Sequence, residues 1–136
     1  MNLEIDSVGS VEWLVGESDL ASQYNREPGD AFPPVFATSA MIGLMEIAAA
    51  RALQPLLGDG QLSVGTTVEV AHSAASPVGV KVRAEARFTG MEGKIYVFAV
   101  SASDPAGEIG RGIHKRAIIA ATRLTEGAAR RCAAAT

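Results

Sequence analysis

Phe32-Pro-Pro-Val-Phe-Ala-Thr38-Ser-Ala-Met41-Ile-Gly-Leu-Met-Glu46-Ile-Ala-Ala-Ala-Arg51-Ala-Leu53 is the stretch that decides how this chain folds. Pro33 and Pro34 hold its first part extended, because proline lacks an N–H and is excluded from helix interiors. Thr38 then stands where a helix N-cap would sit. After it comes a helix-length run in which Glu46 is the only ionisable side chain between Met41 and Ala50. On a wheel of about 100° per residue with Met41 at zero, Glu46 falls at about 140°, beside Ile42 and Leu53. A helix that is apolar on every side is buried on every side. Glu46 is therefore expected in the protein interior, where a carboxylate must be paired, hydrogen-bonded or protonated. That tension makes it the first candidate for chemistry.

Working outward, the helix is expected from Ser39 to Leu57, its regular part ending near Leu53 because Pro55 interrupts the last turns. Gly58-Asp59-Gly60 breaks the chain. Upstream, residues 1–9 read as a lead-in and Ser10–Val15 as a short strand. Gly16 to Asp30 reads as a loop with one helical turn around Asp19–Gln23, placed as a lid over any site nearby. Downstream everything alternates. Leu62, Val64, Thr66, Val68, Val70, His72 and Ala74 share one face of a strand. From Val78 to Phe88 the even positions are apolar while Lys81, Arg83, Glu85 and Arg87 point the other way, the mark of a half-buried antiparallel strand. Glu92-Gly93 marks a hairpin, Ile95–Ser103 a third strand, and Asp104-Pro105-Ala106-Gly107 another turn. A last strand runs from Glu108 to Leu124, kinked or bulged near Gly110 and Gly112. The Ala- and Arg-rich tail, residues 125–136, reads as flexible, a frayed helix or disordered.

Residues 1–136 thus form one domain of the α+β class. A sheet with one apolar face and a single long apolar helix has an evident solution: the antiparallel sheet wraps around the central helix, which is the hotdog fold. One sheet cannot cover a helix on all sides. A second subunit is expected to close over it, making a homodimer.

Composition narrows the function classes. A net charge of −3 favours neither nucleic acid nor a membrane surface. The lone cysteine, Cys132, allows no intrachain disulfide and no thiolate zinc site. The N-terminus has no basic and apolar leader pattern, and the helix is too short and too interrupted to span a bilayer. A cytoplasmic location is expected. There is no phosphate-binding glycine loop and no metal-ligand spacing.

Three polar groups occupy places where the pattern asks for apolar ones: Thr38, Glu46 and His72. Each has a structural reading: a helix cap, an ion pair with a sheet arginine, a satisfied core histidine. Thr38 and Glu46 lie eight residues apart, about 12 Å along a helix. A shared reaction therefore needs a ligand between them, a bend before the helix, or a partner subunit. A carboxylate, a hydroxyl and an imidazole around an apolar cavity suit acyl transfer. The helix N-terminus and a close-approach glycine such as Gly65 are sources of oxyanion donors. His114-Lys115-Arg116 reads as a solvated basic edge, or else as a contact to an anionic part of a substrate.

Five segments together resemble the fluoroacetyl-CoA thioesterases of the hotdog superfamily: Phe32-Pro-Pro-Val-Phe-Ala-Thr38, Met41-Ile-Gly-Leu-Met-Glu46, Val64-Gly65-Thr66, His72-Ser-Ala-Ala-Ser-Pro77 and Glu108-Ile-Gly-Arg-Gly-Ile-His114-Lys-Arg116. They occur in the family's order across roughly residues 10–124. The resemblance implies a catalytic trio of Thr38, Glu46 and His72, Gly65 beside the thioester carbonyl, Phe32 as the gate of the acyl pocket, and Arg116 near the coenzyme A portion of the substrate. It implies a homodimer with two sites near the subunit interface and no metal or redox cofactor, coenzyme A arriving as part of the acyl-CoA substrate. The chain departs from the family's pattern in the lid, where Gly29-Asp30-Ala31 precedes Phe32 without a bulkier aromatic residue. Hydrolysis of a small acyl-CoA, fluoroacetyl-CoA among the candidates, is the expected activity. A hotdog acyl-CoA hydratase or dehydratase and a non-catalytic acyl-binding dimer are the alternatives.

Overall fold

The computed structural model of the protein describes residues 2–135; Met1 of the lead-in and Thr136 of the tail lie outside the described residues. Strand β1 (Val8–Leu14) is followed by two short 3-10 turns, Glu17–Asp19 and Ala21–Tyr24, where one helical turn was expected. Helix α1 spans Thr38–Leu53 and tightens into a 3-10 turn at Gln54–Leu56, next to Pro55. Strands β2 (Gln61–His72), β3 (Lys81–Glu92), β4 (Ile95–Asp104) and β5 (Gly107–Ala120) complete an antiparallel sheet in the order β1-β3-β4-β5-β2. The last strand stops earlier than Leu124, and the tail read as frayed or disordered is a second helix, α2 (Ala121–Ala134), with no buried residue.

The sheet wraps around α1 as the pattern requires, a hotdog fold. Met41, Leu44, Met45, Ala48, Ala49, Ala52 and Leu53 form its buried stripe, at the three- and four-residue spacing of one helix face. Against them lie Val82, Ala84, Ala86 and Phe88 of β3, Phe98, Val100 and Ala102 of β4, and Ile109 of β5. The alternation from Val82 to Phe88 is therefore real, with Lys81, Arg83, Glu85 and Arg87 exposed on the outer face. Each fully buried Met or Leu side chain here contributes about 1.5–3 kcal/mol relative to exposure.

One reading of the sequence is corrected by a bulge in β2. Gly65 pairs with Arg116 and Thr67 with Lys115, so Thr66 is the extra residue. An extra residue reverses which side chains face inward. Ser63 and Gly65 therefore share a face with Val68, Val70 and His72, whereas Leu62 and Val64 belong to the other face. Two further bulges lie at Thr89 in β3 and at Ile109 in β5, the latter beside the expected Gly110.

The helix also lies very close to the sheet. A Cβ on Gly9 of β1 would collide with the Ala48 carbonyl oxygen and stand 2.7 Å from the Ala52 nitrogen. Only glycine permits that approach. Gly9→Ala should force helix and strand apart and destabilise the protein by about 1–3 kcal/mol or more. Urea unfolding followed by circular dichroism measures this; an unshifted midpoint would show that the helix can retreat without cost.

Candidate functional site

The N-terminal end of α1 carries the first part of the site. The cap position is Ala37, with no side-chain cap, and Thr38 is already the first helical residue. The capping role expected for Thr38 is thus replaced by another contact: its Oγ1 lies 2.8 Å from His72 Nδ1 on β2. The approach to the helix is tightly held. The Phe36 N–H donates to the Ser76 carbonyl at 2.8 Å and the Ala37 N–H to the Asp19 carbonyl at 2.9 Å. Ser76 is fully buried and donates from Oγ to Asp104 Oδ2 at 2.7 Å. That bond, chiefly, holds the Asp104 carboxyl below the usual carboxylate range. His72 Nε2 is buried and has no hydrogen-bond partner among the described residues. If Nδ1 accepts the Thr38 proton, Nε2 carries the N–H, a spare buried donor of the kind found where a ligand or water is to be met.

Thr38 and His72 border a cleft of about 370 Å³ whose walls include Phe32, Pro33, Phe36 and Ala74. Phe32 is 48% exposed at its mouth. Asn25 pins it there, accepting from the Phe32 N–H at 2.8 Å and donating to its carbonyl at 3.3 Å. Tyr24 packs on the Phe32 ring with centroids 6.0 Å apart and bonds Ser39 Oγ at 2.7 Å. The segment read as a lid is held over the cleft by these contacts. A larger depression of about 490 Å³ lies over the outer face of the sheet. Its charged residues are already paired, Arg111 with Glu108 and Arg87 with Asp6, and it holds no nucleophile–base pair.

The second part of the site lies two turns along α1. Glu46 Oε1 is 3.3 Å from Arg116 Nη1 of β5. The expectation of a fully interior carboxylate is corrected: the Glu46 side chain is 43% exposed, while that of Arg116 is 7% exposed. The reason is that the sheet covers only one stripe of α1, leaving Glu46 and Ile47 on the uncovered side. The ion pair with a sheet arginine is present. Arg116 also donates from Nε to Ser63 Oγ at 3.0 Å and from Nη2 to the Ser63 carbonyl at 2.9 Å. Gly65 leaves room for this meeting, since a Cβ there would stand 2.5 Å from Glu46 Oε1 and 3.0 Å from His114 Cε1.

His114 is the residue that sequence reasoning misplaced. It is 1% exposed, not part of a solvated edge. Its Nδ1 is 2.8 Å from the Thr67 carbonyl and its Nε2 3.1 Å from Arg116 Nη1. The signal was available: residues 110, 112, 114 and 116 share one strand face, and Gly110 and Gly112 already marked that face as crowded. Burial, foremost, pushes the His114 imidazole below its ordinary pKa, with Arg116 adding to the effect and the Thr67 carbonyl opposing it. Burial likewise pulls Arg116 down, opposed by Glu46.

The structure thus brings Thr38, His72 and Phe32 together in one cleft, and Glu46, Gly65 and Arg116 in a second cluster. The two groups are separated by about 12 Å along α1. Among the described residues no helix is long and apolar enough to cross a membrane.

Known proteins share this sequence pattern and fold. The family model for FlK, described as fluoroacetyl-CoA-specific thioesterase, matches residues 15–122. A fluoroacetyl-CoA thioesterase from Streptantibioticus cattleyicolor is 48% identical over 88 residues, covering 65% of this chain and 63% of that enzyme, so the match spans less than two thirds of the relative's length. A solved fluoroacetyl-CoA thioesterase superposes with a TM-score of 0.89 at 34% identity, covering 96% of this chain and 98% of the other. A threonine-to-serine variant of FlK in complex with acetyl-CoA gives 0.88 at 35% identity, covering 94% and 98%.

The burial of His114 has a consequence for pH. Its folded pKa lies below the unfolded value of about 6.5, so the unfolded chain binds the proton more readily. The stability this group contributes is present above about pH 6.5 and is lost as pH falls through the folded value. A proton NMR titration should place the His114 midpoint below about 6.5; a midpoint at or above it would contradict the buried, neutral imidazole.

Proposed function

The chain belongs to the fluoroacetyl-CoA-specific thioesterase family, and on that premise we propose that it hydrolyses a small acyl-CoA thioester, fluoroacetyl-CoA foremost, to the free acid and coenzyme A. The observation that carries this is the contact of 2.8 Å between Thr38 Oγ1 and His72 Nδ1 at the edge of a cleft gated by Phe32. A hydroxyl held against an imidazole at a helix N-terminus is an acid–base unit aimed at a carbonyl. The acetyl-CoA complex of the FlK variant supports the substrate class.

In this reading Thr38, His72 and Glu46 are the catalytic residues. The Glu46 carboxylate attacks the thioester carbonyl carbon or directs the water that does. Backbone N–H groups at the start of α1 or at Gly65 receive the oxyanion. The C–S bond then breaks: His72, with its Nδ1–H on Thr38, takes at Nε2 a proton of the water and passes it to the departing sulfur, whether that water attacks the thioester directly or cleaves an acyl–Glu46 anhydride, which frees the acid and restores Glu46. Phe32 gates the acyl pocket. Arg116 sits 3.5 Å from the point where a Gly65 Cβ would stand and lies near the coenzyme A portion of the substrate. No metal or redox group takes part, and coenzyme A arrives as substrate.

A homodimer with sites near its interface fits the uncovered side of α1, where Ile47 is 36% exposed, and the open edge of β2, where Val68 is 40% exposed. A second copy would shorten the gap between the two halves of the site. A cytoplasmic location goes with a coenzyme A ester as substrate and with a single, unpaired cysteine.

A thiol-release assay over acetyl-, fluoroacetyl-, longer-chain and aryl-CoA esters tests the proposal. Thiol should appear from the small esters, and Glu46→Gln should lower kcat by about 10²–10⁴-fold while the protein stays folded. Phe32→Ala should narrow the difference between fluoroacetyl and acetyl esters. No thiol from any ester would overturn the hydrolase reading and leave an acyl-binding dimer.

A further inference from the structure

We infer that His114 is a positioning residue for the reaction, a one-way acceptor that keeps the Arg116 guanidinium turned toward Glu46. The inference rests on the reading of Glu46 as a catalytic residue and assigns a role to a side chain outside the trio.

The hydrogen-bond partners of His114 fix its tautomer. The Thr67 carbonyl can only accept, so the proton is on Nδ1, 2.8 Å away. The Arg116 guanidinium can only donate, so Nε2 is the bare acceptor, at 3.1 Å from Nη1. The carbonyl that sets this polarity follows the extra residue of the β2 bulge, between Gly65 and Thr67. The bulge therefore serves two ends: it turns Gly65 toward Glu46 and supplies the carbonyl that orients His114.

Every other arm of Arg116 is held by Ser63. Nε meets the Ser63 hydroxyl and Nη2 the Ser63 carbonyl, while Nη1 alone serves both His114 and Glu46. Without an acceptor at Nε2, one Nη1 hydrogen would be buried and unpaired, which is the costly state for such a group. The guanidinium would then turn to recover a partner, and Glu46 would lose its fixed position. Protonated His114 would present an N–H to the same Nη1, donor against donor, with the same result. The charged groups facing His114 are Arg116 on its own strand and Glu46 on α1; the neighbouring strand β2 offers only the neutral Thr67 carbonyl.

A double-mutant cycle tests this. His114→Leu keeps the bulk and removes both polar contacts. It should lower kcat about 10–100-fold with KM changed less than about threefold, as for loss of orientation at the reacting centre. In a Glu46→Gln background the same substitution should cost less than about threefold, since the group it positions is gone. His114→Gln, whose amide oxygen can stand in for Nε2, should retain more activity than His114→Leu. His114→Asn, which keeps only the donor side, should not. An equal loss in both backgrounds would make His114 a purely structural residue and overturn the inference, as would an unchanged kcat in His114→Leu. Failure of the underlying reading shows separately, as full activity in Glu46→Gln alone. Gel filtration and circular dichroism verify folding, and if His114→Leu does not fold, the Gln and Asn variants are compared in the same two backgrounds. Equal activities for those two would then count against the acceptor role.

Discussion

The structure depends on how closely the sheet can approach α1. Ala48, Ala49 and Ala52 are buried, and Gly9 of β1 lies directly on the Ala48 carbonyl and close to the Ala52 nitrogen. Small residues on both sides allow backbone to approach backbone. The longer side chains, Met41, Met45, Leu53, Phe88 and Phe98, then fill the space on either side of that contact. With the helix seated so low, the sheet must curve around it, and the side chains at the curved edge on β2 and β5 come within reach of the helix's flank. Thr38 meets His72 and Glu46 meets Arg116 because of that seating. Glu46 and Thr38 are eight residues apart on one rigid element, so the spacing between the two halves of the site is set by the helix and not by loops.

The bulge at Thr66 is the second constraint. A regular β2 would keep Gly65 and His72 on opposite faces, since they are seven residues apart. One extra residue puts both on the inner face. Without it Gly65 could not stand beside Glu46 while His72 stands beside Thr38. Bulges near a sheet edge commonly re-aim side chains in this way. Here the aimed groups are a missing side chain, an imidazole and, through the Thr67 carbonyl, a second imidazole.

Much of this was legible in the sequence. The apolar run after Pro34, the strict alternation from Val78 to Phe88 and the turn residues at Gly93 and Pro105 led to a sheet wrapped around one helix, because each rests on local periodicity. Thr38, Glu46 and His72 stood out as polar residues in apolar positions. What was not legible depended on parity and on partial cover. Leu62 and Val64 were assigned to the inner face because nothing local marks Thr66 as the extra residue; the register with Arg116 and Lys115 decides it. Glu46 was placed fully inside because a helix wheel shows what is apolar and not what is covered. His114 was read as a surface residue because its neighbours Lys115 and Arg116 are basic, although strand alternation separates Lys115 from the other two.

The half-exposed state of Glu46 makes physical sense once Arg116 is considered with it. A carboxylate fully enclosed in an apolar helix face would be held only at a high desolvation cost, and its pairing would have to recover that cost. Here the cation is the buried partner, and its burial is offset by the Ser63 hydroxyl and carbonyl and by the His114 acceptor. The carboxylate is left with one firm contact and an open side. Glu46 is thereby fixed in direction while remaining accessible, the combination a nucleophile or base needs. The arrangement also explains why the inner strand face carries a glycine at 65 and why its polar residues, Ser63, His114 and Arg116, lie together at one end, whereas Gly110 clears Met41 and the Ala71 carbonyl and Gly112 clears the β2 backbone. The space that the absent Gly65 side chain releases is what lets a guanidinium, an imidazole and a carboxylate converge at the flank of a helix whose buried stripe is entirely apolar.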